Sequence, residues 1–157
     1  MSHVSHTTES RPSAQVDVRG PRFVAWVTTA VLVATLLVST ASTAYAAALL
    51  AVQAVVFALG ATLGPRRHPY GLLFAALVAP RLGPVTEREP VAPLKFAQSV
   101  GLVFAVAGVA AFLSGSPTLG LVATGFALAA AFLNAAFGIC LGCQLYPLFL
   151  RLKPTHS

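Results

Sequence analysis

The sequence predicts an all-α protein: a four-helix transmembrane bundle with both termini in the cytoplasm and a proline-rich interfacial loop between helices 2 and 3. Three observations support this fold class. Hydrophobic residues make up 57% of the chain and charged residues only 9%, whereas soluble domains carry about 25% charged residues. The apolar residues form long runs. The basic residues lie between these runs or near the chain ends.

The 157 residues suffice for one compact unit of membrane helices. Residues 1–15 are polar and rich in Ser, Thr and His, which predicts a disordered N-terminal tail. Residues 153–157 form a second tail. The membrane domain is expected over residues 16–152, with spans at about 23–41, 45–63, 94–113 and 118–143.

The first two spans come from one apolar run. No charged residue occurs from Phe23 to Leu63, and a single helix of that length would measure about 60 Å, twice the hydrocarbon thickness of about 30 Å. Two helices joined by a turn at residues 39–43 fit better. A cleavable signal peptide ending near Ala46 is the competing interpretation. Against it, the apolar run exceeds the usual length of about 7–15 residues and a second span follows at once.

The region from Gly64 to Pro93 cannot form one regular helix because it contains six prolines. Within it, the apolar stretch Tyr70–Ala79 is too short to cross a bilayer. We expect this stretch to lie in the interface, flanked by arginines at the level of the lipid headgroups.

Charge predicts the topology. All ten Lys and Arg residues lie in the N-terminal segment, the middle loop with its edge at Lys95, or the C-terminal tail. With four spans these regions share one side, which the positive-inside rule makes cytoplasmic. We therefore expect a multi-pass protein of the bacterial cell membrane. The net charge of +6 is explained by topology, so no nucleic-acid partner is expected.

The motif Cys140-Leu141-Gly142-Cys143 holds both cysteines of the chain. Residues three apart on a helix share a face with Cβ atoms about 5–6 Å apart, and a small adjustment would allow a disulfide. Such a pair suits thiol–disulfide exchange or transfer of a sulfane sulfur, so both cysteines are the candidate catalytic residues. Three alternatives stay open: packing residues, reversible acylation, or a zinc site completed by His68 and a second subunit.

The expected position of the motif argues against a reactive thiolate. It is predicted near the C-terminal end of helix 4, where the helix dipole disfavours negative charge. Pro147 is expected to kink or end that helix. Arginines on the same side would have to compensate, and the candidates are Arg66, Arg67, Arg81 and Arg151.

Asn134 is the strongly polar residue deep in helix 4, and it must face another helix or a cavity. It is either a contact between helices or part of a substrate pocket. Asn134, Arg66, Arg67 and Arg81 are therefore the candidate substrate-binding residues. The sequence contains no nucleotide-binding or metalloprotease motif and no acidic residue inside a span. No cofactor and no metal are expected, and the CxxC pair alone does not establish an enzyme.

Several segments together resemble one known family. They are VDVRGPRF, PYGLLFAALVAPRLGP, FAQSVGLVF and, most specifically, LNAAFGICLGCQLY. The chain resembles, over residues 16–152, an actinobacterial family of integral membrane proteins called domain of unknown function forty-three ninety-five. The resemblance implies a link to thiol or sulfur chemistry, because members are often encoded near thioredoxin-like proteins and sulfurtransferases. Cys140 and Cys143 match the cysteines of the family's motif.

Two functions follow as hypotheses. The first is a membrane-embedded thiol-redox or sulfur-transfer accessory, whose cysteines exchange electrons or sulfur with a cytoplasmic thioredoxin-like protein or a sulfurtransferase. The second is a passive small-solute permease or scaffold subunit with structural cysteines. In both, the lipid bilayer is the main partner, and self-association of the chain stays open.

Overall fold

The computed structural model describes residues 14–154. Residues 1–13 and 155–157 of the expected tails lie outside this range. Gln15, which the sequence assigned to the N-terminal tail, belongs to a short strand. The elements, in chain order, are β1 Gln15–Asp17, α1 Arg19–Ser39, α2 Thr43–Leu63, α3 Pro69–Leu73, β2 Arg88–Pro90, α4 Val91–Leu113, α5 Pro117–Phe137 and α6 Leu141–Leu152.

Four helices within the described range, α1, α2, α4 and α5, are long and apolar enough to cross a membrane. This confirms the all-α transmembrane class. Helix α2 packs most extensively on α4, and α1 packs on α5 and α2. The core between them is formed by alanine, leucine and phenylalanine side chains at Leu32, Ala46, Ala47, Leu50, Phe57, Ala105, Phe112 and Ala127.

Helix α1 begins at Arg19, four residues before the expected start, and Asp17 binds the backbone N–H of this first helical residue. The Asp17 carboxylate accepts hydrogen bonds from the backbone N–H of Arg19 at 3.0 Å and from the Arg19 guanidinium at 2.8 Å. A negatively charged carboxylate at this position also interacts favourably with the positive end of the helix dipole. The polar segment before the apolar run therefore belongs to the helix.

The turn between the first two spans lies where the sequence predicts it. Helix α1 ends at Ser39 and α2 begins at Thr43. The Ser42 hydroxyl accepts a hydrogen bond from the backbone N–H of Tyr45 at 3.2 Å, which caps the start of α2. Ala46 is fully buried in the core.

The stretch between α2 and α4 forms a short bent helical segment and not a span. Helix α3 continues into a π turn at Phe74–Val78 and a 3₁₀ turn at Ala79–Arg81. Phe74 is buried, whereas Leu72, Leu73 and Leu77 are exposed. In a protein surrounded by lipid, such leucines are available to the bilayer. The interfacial position of this segment stays a prediction.

The fourth span is shorter than expected. Helix α5 ends at Phe137, not near residue 143, because Gly138 adopts the left-handed conformation with φ of +69°. The N–H of Gly138 donates to the carbonyl of Asn134 at 3.0 Å, and the N–H of Ile139 donates to that of Leu133 at 3.2 Å. This is the usual glycine-terminated end of a helix.

A separate helix, α6, follows this stop, and it contains Pro147 in its interior. Of the two outcomes expected at Pro147, an end of the helix is therefore wrong, and a kink stays a prediction. Helix α6 packs on α4, where Phe96 lies 5.8 Å from Tyr146 and 5.0 Å from Phe149 between ring centroids. Its 12 residues are too few to span a bilayer.

The charged segments meet at one end of the bundle. Strands β1 and β2 pair antiparallel, with Asp17 opposite Arg88, which joins the N-terminal segment to the middle loop. Helix α6 packs on α4 beside Ala97, near the start of α4 that directly follows β2. Which side of the membrane this end faces stays a prediction from charge.

Candidate functional site around Cys140 and Cys143

The two cysteines lie at the start of α6. Cys140 is the residue that caps this helix, and its Sγ accepts a hydrogen bond from the backbone N–H of Cys143 at 3.2 Å. The two residues form a disulfide, with their Cα atoms 5.2 Å apart. Both cysteines are half-buried.

This position reverses the electrostatic argument drawn from the sequence. The motif was expected at the C-terminal end of a helix, where the dipole opposes a thiolate, and that expectation is wrong. Because Gly138 ends α5, Cys140 begins a new helix instead. A helix N-terminus carries partial positive charge and free N–H groups, and it favours the thiolate form of a cysteine.

A cavity of about 90 Å³ opens beside Cys140, and all four long helices and the first turn of α6 contribute to its lining. We call it the cysteine cavity. Its walls are mostly apolar, and its polar lining comes from Thr28, Gln98 and Asn134. No charged side chain of residues 14–154 lines it. The cavity is therefore a small, neutral space with a few hydrogen-bonding groups next to the disulfide.

The structure brings one of the predicted binding residues to the cysteines and separates the others from them. Asn134 lines the cysteine cavity together with Cys140. Arg66 lines a different cavity near β1, and its guanidinium donates to the carbonyl of Gln15 at 3.1 Å. Arg67 and Arg81 are exposed and line neither cavity.

Arg22 is the basic side chain that reaches the end of α5. Its Nη2 donates to the carbonyl of Ala135 at 3.3 Å, in the last turn of that helix. A cation there donates a hydrogen bond to a carbonyl of the last turn and interacts favourably with the negative end of the helix dipole. Nothing in the local sequence pattern connects Arg22 with a residue so far away in the chain.

A second polar group lies next to the cysteine cavity. His68 is 1% exposed, caps α3, and accepts a hydrogen bond at Nδ1 from the backbone N–H of Tyr70 at 3.2 Å. Neutral His68 therefore carries its proton on Nε2. The Tyr70 hydroxyl donates to Oε1 of Gln53 at 2.9 Å, so the loop reaches into the bundle. Burial lowers the pKa of His68, and the adjacent Gln98 side chain offsets part of this shift.

Gln98 connects this group to the cysteine cavity. It lines that cavity and also a space of about 20 Å³ that His68 lines from the other side, a volume that fits one water molecule. Within the described range, the buried side-chain atoms without a hydrogen-bond partner are Thr28 Oγ1, Gln53 Nε2, His68 Nε2 and Gln98 Oε1. Two of these atoms, on Thr28 and Gln98, belong to residues that line the cysteine cavity.

The residues that complete the site lie far apart in the sequence. Thr28 and Gln98 come from two different spans, and nothing in the local pattern distinguishes the face of Thr28. Gln98 was noticeable as an amide in an apolar helix, which predicts an inward orientation. Within residues 14–154 no group of three or more His, Cys, Asp or Glu side chains is positioned to hold a metal ion.

The fold and the site define a multi-span α-helical membrane protein that carries a CxxC disulfide at the start of a short helix. The chain belongs to the family described as Domain of unknown function (DUF4395), whose model matches residues 16–151. This confirms the resemblance that the sequence suggested. No curated protein and no solved structure significantly matches the chain.

Proposed function

We propose that this protein is a thiol component of the bacterial cell membrane, in which Cys140 and Cys143 exchange electrons or sulfur with a cytoplasmic partner. The observation that carries the proposal is the position of the pair. Cys140 caps α6, both cysteines lie in its first turn, and a cavity with polar lining adjoins them. A packing role requires neither a helix N-terminus nor a cavity.

The redox step balances with a dithiol as the co-reactant. A thiolate of the partner attacks one sulfur of the disulfide, forms a mixed disulfide and releases the other cysteine as a thiolate. The second thiol of the partner then attacks the mixed disulfide. The partner leaves as a disulfide, and its two protons balance the two thiols formed on Cys140 and Cys143. The helix N-terminus stabilises the thiolate that is released.

The sulfur-transfer alternative uses the same atoms after a dithiol has reduced the disulfide as described above. A cysteine thiolate attacks the outer sulfur of a persulfide on a sulfurtransferase, takes that sulfur as its own persulfide and releases the partner as a thiolate. No net oxidation occurs in this step. The two chemistries differ in the product on this protein, which is a dithiol in the first and a persulfide in the second.

Redox titration in native membranes tests the proposal. We expect the pair to interconvert between dithiol and disulfide near the cytoplasmic thiol poise, about −220 to −320 mV depending on the probe. The single variants Cys140→Ser and Cys143→Ser should each abolish the cycle, and one of them should retain a mixed disulfide with a cytoplasmic protein. Mass spectrometry after exposure to a persulfide donor would distinguish sulfur transfer from electron transfer.

A different result would assign the cysteines a structural role. If both cysteines stay reduced and unmodified in native membranes, and the double serine variant behaves as wild type, the pair is structural. A permease or scaffold subunit would then be the better description.

A further inference from the structure

A second, larger cavity lies at the end of the bundle where the charged segments meet. Its volume is about 270 Å³, and we call it the arginine cavity. The first turns of α1, the loop after α2, the segment from α3 to the π turn, and strands β1 and β2 enclose it. Its apolar wall includes Pro21, Val24 and Phe74, and its charged residues are Asp17, Arg66 and Arg88.

The charges in this cavity do not cancel. Both oxygens of Asp17 accept hydrogen bonds from the guanidinium of Arg19, at 2.8–3.0 Å, so this acid is already neutralised. Arg19 and Asp17 form the one ion pair within residues 14–154. Arg66 donates to a backbone carbonyl, and Arg88 lies opposite Asp17 in the strand pair. Two guanidinium groups are left without an acidic partner.

Part of the cavity wall is apolar, and it includes a residue of a segment that exposes several leucines. Val24 and Phe74 are buried with 5% and 7% exposure. Phe74 belongs to the segment whose leucines Leu72, Leu73 and Leu77 are exposed on the outside. The cavity thus has a cationic side and a hydrocarbon-like side at the boundary where the first span leaves the apolar region.

We propose that the arginine cavity binds one anionic phospholipid of the surrounding bilayer. The phosphate lies at Arg66 and Arg88, and the upper part of an acyl chain packs against Val24 and Phe74. Guanidinium groups form strong charge-assisted hydrogen bonds with phosphate oxygens. The cavity is too small for a whole lipid, so the remaining chain lies along the exposed leucines. This binding requires no reaction at the cysteines and is independent of the proposed thiol function.

A soluble phosphate shares the headgroup chemistry but makes no use of the apolar wall. The two ligands are therefore separable. Filling the wall should exclude a lipid while leaving phosphate binding to the arginines intact. Ala75 lines the cavity and is exposed, so Ala75→Phe adds bulk there without entering the core.

The test uses the full-length protein in zwitterionic nanodiscs, with phosphatidylglycerol and phosphatidylcholine as probes and native mass spectrometry as the readout. Arg66→Gln and Arg88→Gln should each weaken phosphatidylglycerol binding roughly tenfold, because each removes a charge-assisted contact. Arg67→Gln is the matched control, since Arg67 adjoins Arg66 in sequence but does not line the cavity. It should change binding little, and Ala75→Phe should weaken binding as the first two variants do.

Each other outcome overturns the proposal. Equal losses in all three arginine variants would mean nonspecific attraction to a basic surface. Full competition by inorganic phosphate, together with unchanged binding in Ala75→Phe, would assign the site to a soluble anion. Equal binding of the two lipids would exclude charge recognition. An unchanged thermal unfolding temperature in each variant verifies that the fold is retained.

Discussion

Gly142 lies directly against the backbone of Ala97. A Cβ atom at position 142 would come within 2.6 Å of the Ala97 Cα and 2.7 Å of its Cβ. Glycine is therefore the residue that lets the first turn of α6 approach α4 this closely. Because Gly142 lies between the two cysteines, this contact also fixes the disulfide against the cysteine cavity.

Replacement of Gly142 by alanine should push α6 away from α4. Overpacking of this kind costs about 1–3 kcal/mol, and we expect a lower unfolding temperature in detergent and faster reduction of the disulfide by a water-soluble phosphine. Gly125→Ala is the control, because Gly125 in α5 has no neighbouring atom within 4 Å of an added Cβ. That change should be neutral or slightly stabilising. Equal behaviour of the two variants would contradict the close contact.

The reduced cysteines should be reactive. Since the pair occupies the N-terminal turn of α6, the dipole and the free N–H groups favour thiolate. We expect the reduced protein to react with iodoacetamide at pH 7 faster than glutathione does under the same detergent conditions. A rate slower than that of glutathione would show that apolar surroundings outweigh the helix terminus.

The membrane helices could be predicted from the sequence because length and hydropathy decide them, and the turn at Ser39–Thr43 carries its own polar signal. The end of α5 could not, because the apolar character continues through Gly138 and Ile139 into α6. The stop depends on one glycine in a left-handed conformation, and a glycine within an apolar helix is equally compatible with packing. Because the sequence does not reveal this stop, the cysteines were expected at the negative end of a helix dipole and lie at the positive end of another.

The candidate site was predictable only in part for a related reason. Cys140 and Cys143 are visible as a local motif, and Asn134 is visible as a polar residue in an apolar span. The other residues of this site come from several helices, and the spacing of apolar residues along one helix does not determine which helices pack together. Arg66 was chosen by shared side of the membrane, but it lies with Arg88 in the arginine cavity.

Membrane orientation can be tested with reporter fusions. Fusions after Ser157 and within the loop between Leu82 and Val85 should report the cytoplasm, while insertions at Ser42 and Ser116 should report the outside. The physical reason is that the three basic segments share one end of the bundle, which the positive-inside rule retains in the cytoplasm. A loop reported outside would place the cysteines on the oxidising side and remove the cytoplasmic partner from the proposal.

Asn134→Leu should keep normal abundance but slow the thiol exchange. A polar contact between membrane helices is worth about 0.6–2 kcal/mol, which the bundle can lose, whereas leucine would make the lining beside Cys140 more apolar. The matched control is Gln144→Leu, which removes an exposed amide from α6 outside the cavity. Stopped-flow exchange with a small dithiol measures both variants. Equal rates in both would reduce Asn134 to a packing contact.

The buried His68 should make stability depend on pH. Burial lowers its pKa in the folded protein below the ordinary value of about 6.5. In the acid range the unfolded chain therefore binds more protons than the folded chain, and the free energy of unfolding rises with pH. The contribution of neutral His68 is fully present above about pH 6.5 and is lost as the pH falls toward the lowered folded pKa. Glu89 has the opposite effect on the pH dependence of stability. Burial raises its pKa in the folded protein, so the stability that its protonated form contributes is lost as the pH rises.

Comparison of wild type with His68→Gln separates the two groups, because Glu89 is common to both proteins. Glutamine cannot titrate. As the pH is lowered from about 7.5 to 5, the unfolding temperature of the wild type should therefore fall relative to that of the variant. The measurement is thermal unfolding in detergent at several pH values, with His68→Phe as a second variant that also removes the hydrogen bond from Tyr70. Both variants should lose the same pH dependence, even if His68→Phe is less stable throughout. A constant difference between wild type and both variants over this range would mean that His68 reaches water when protonated and is not held neutral inside the bundle.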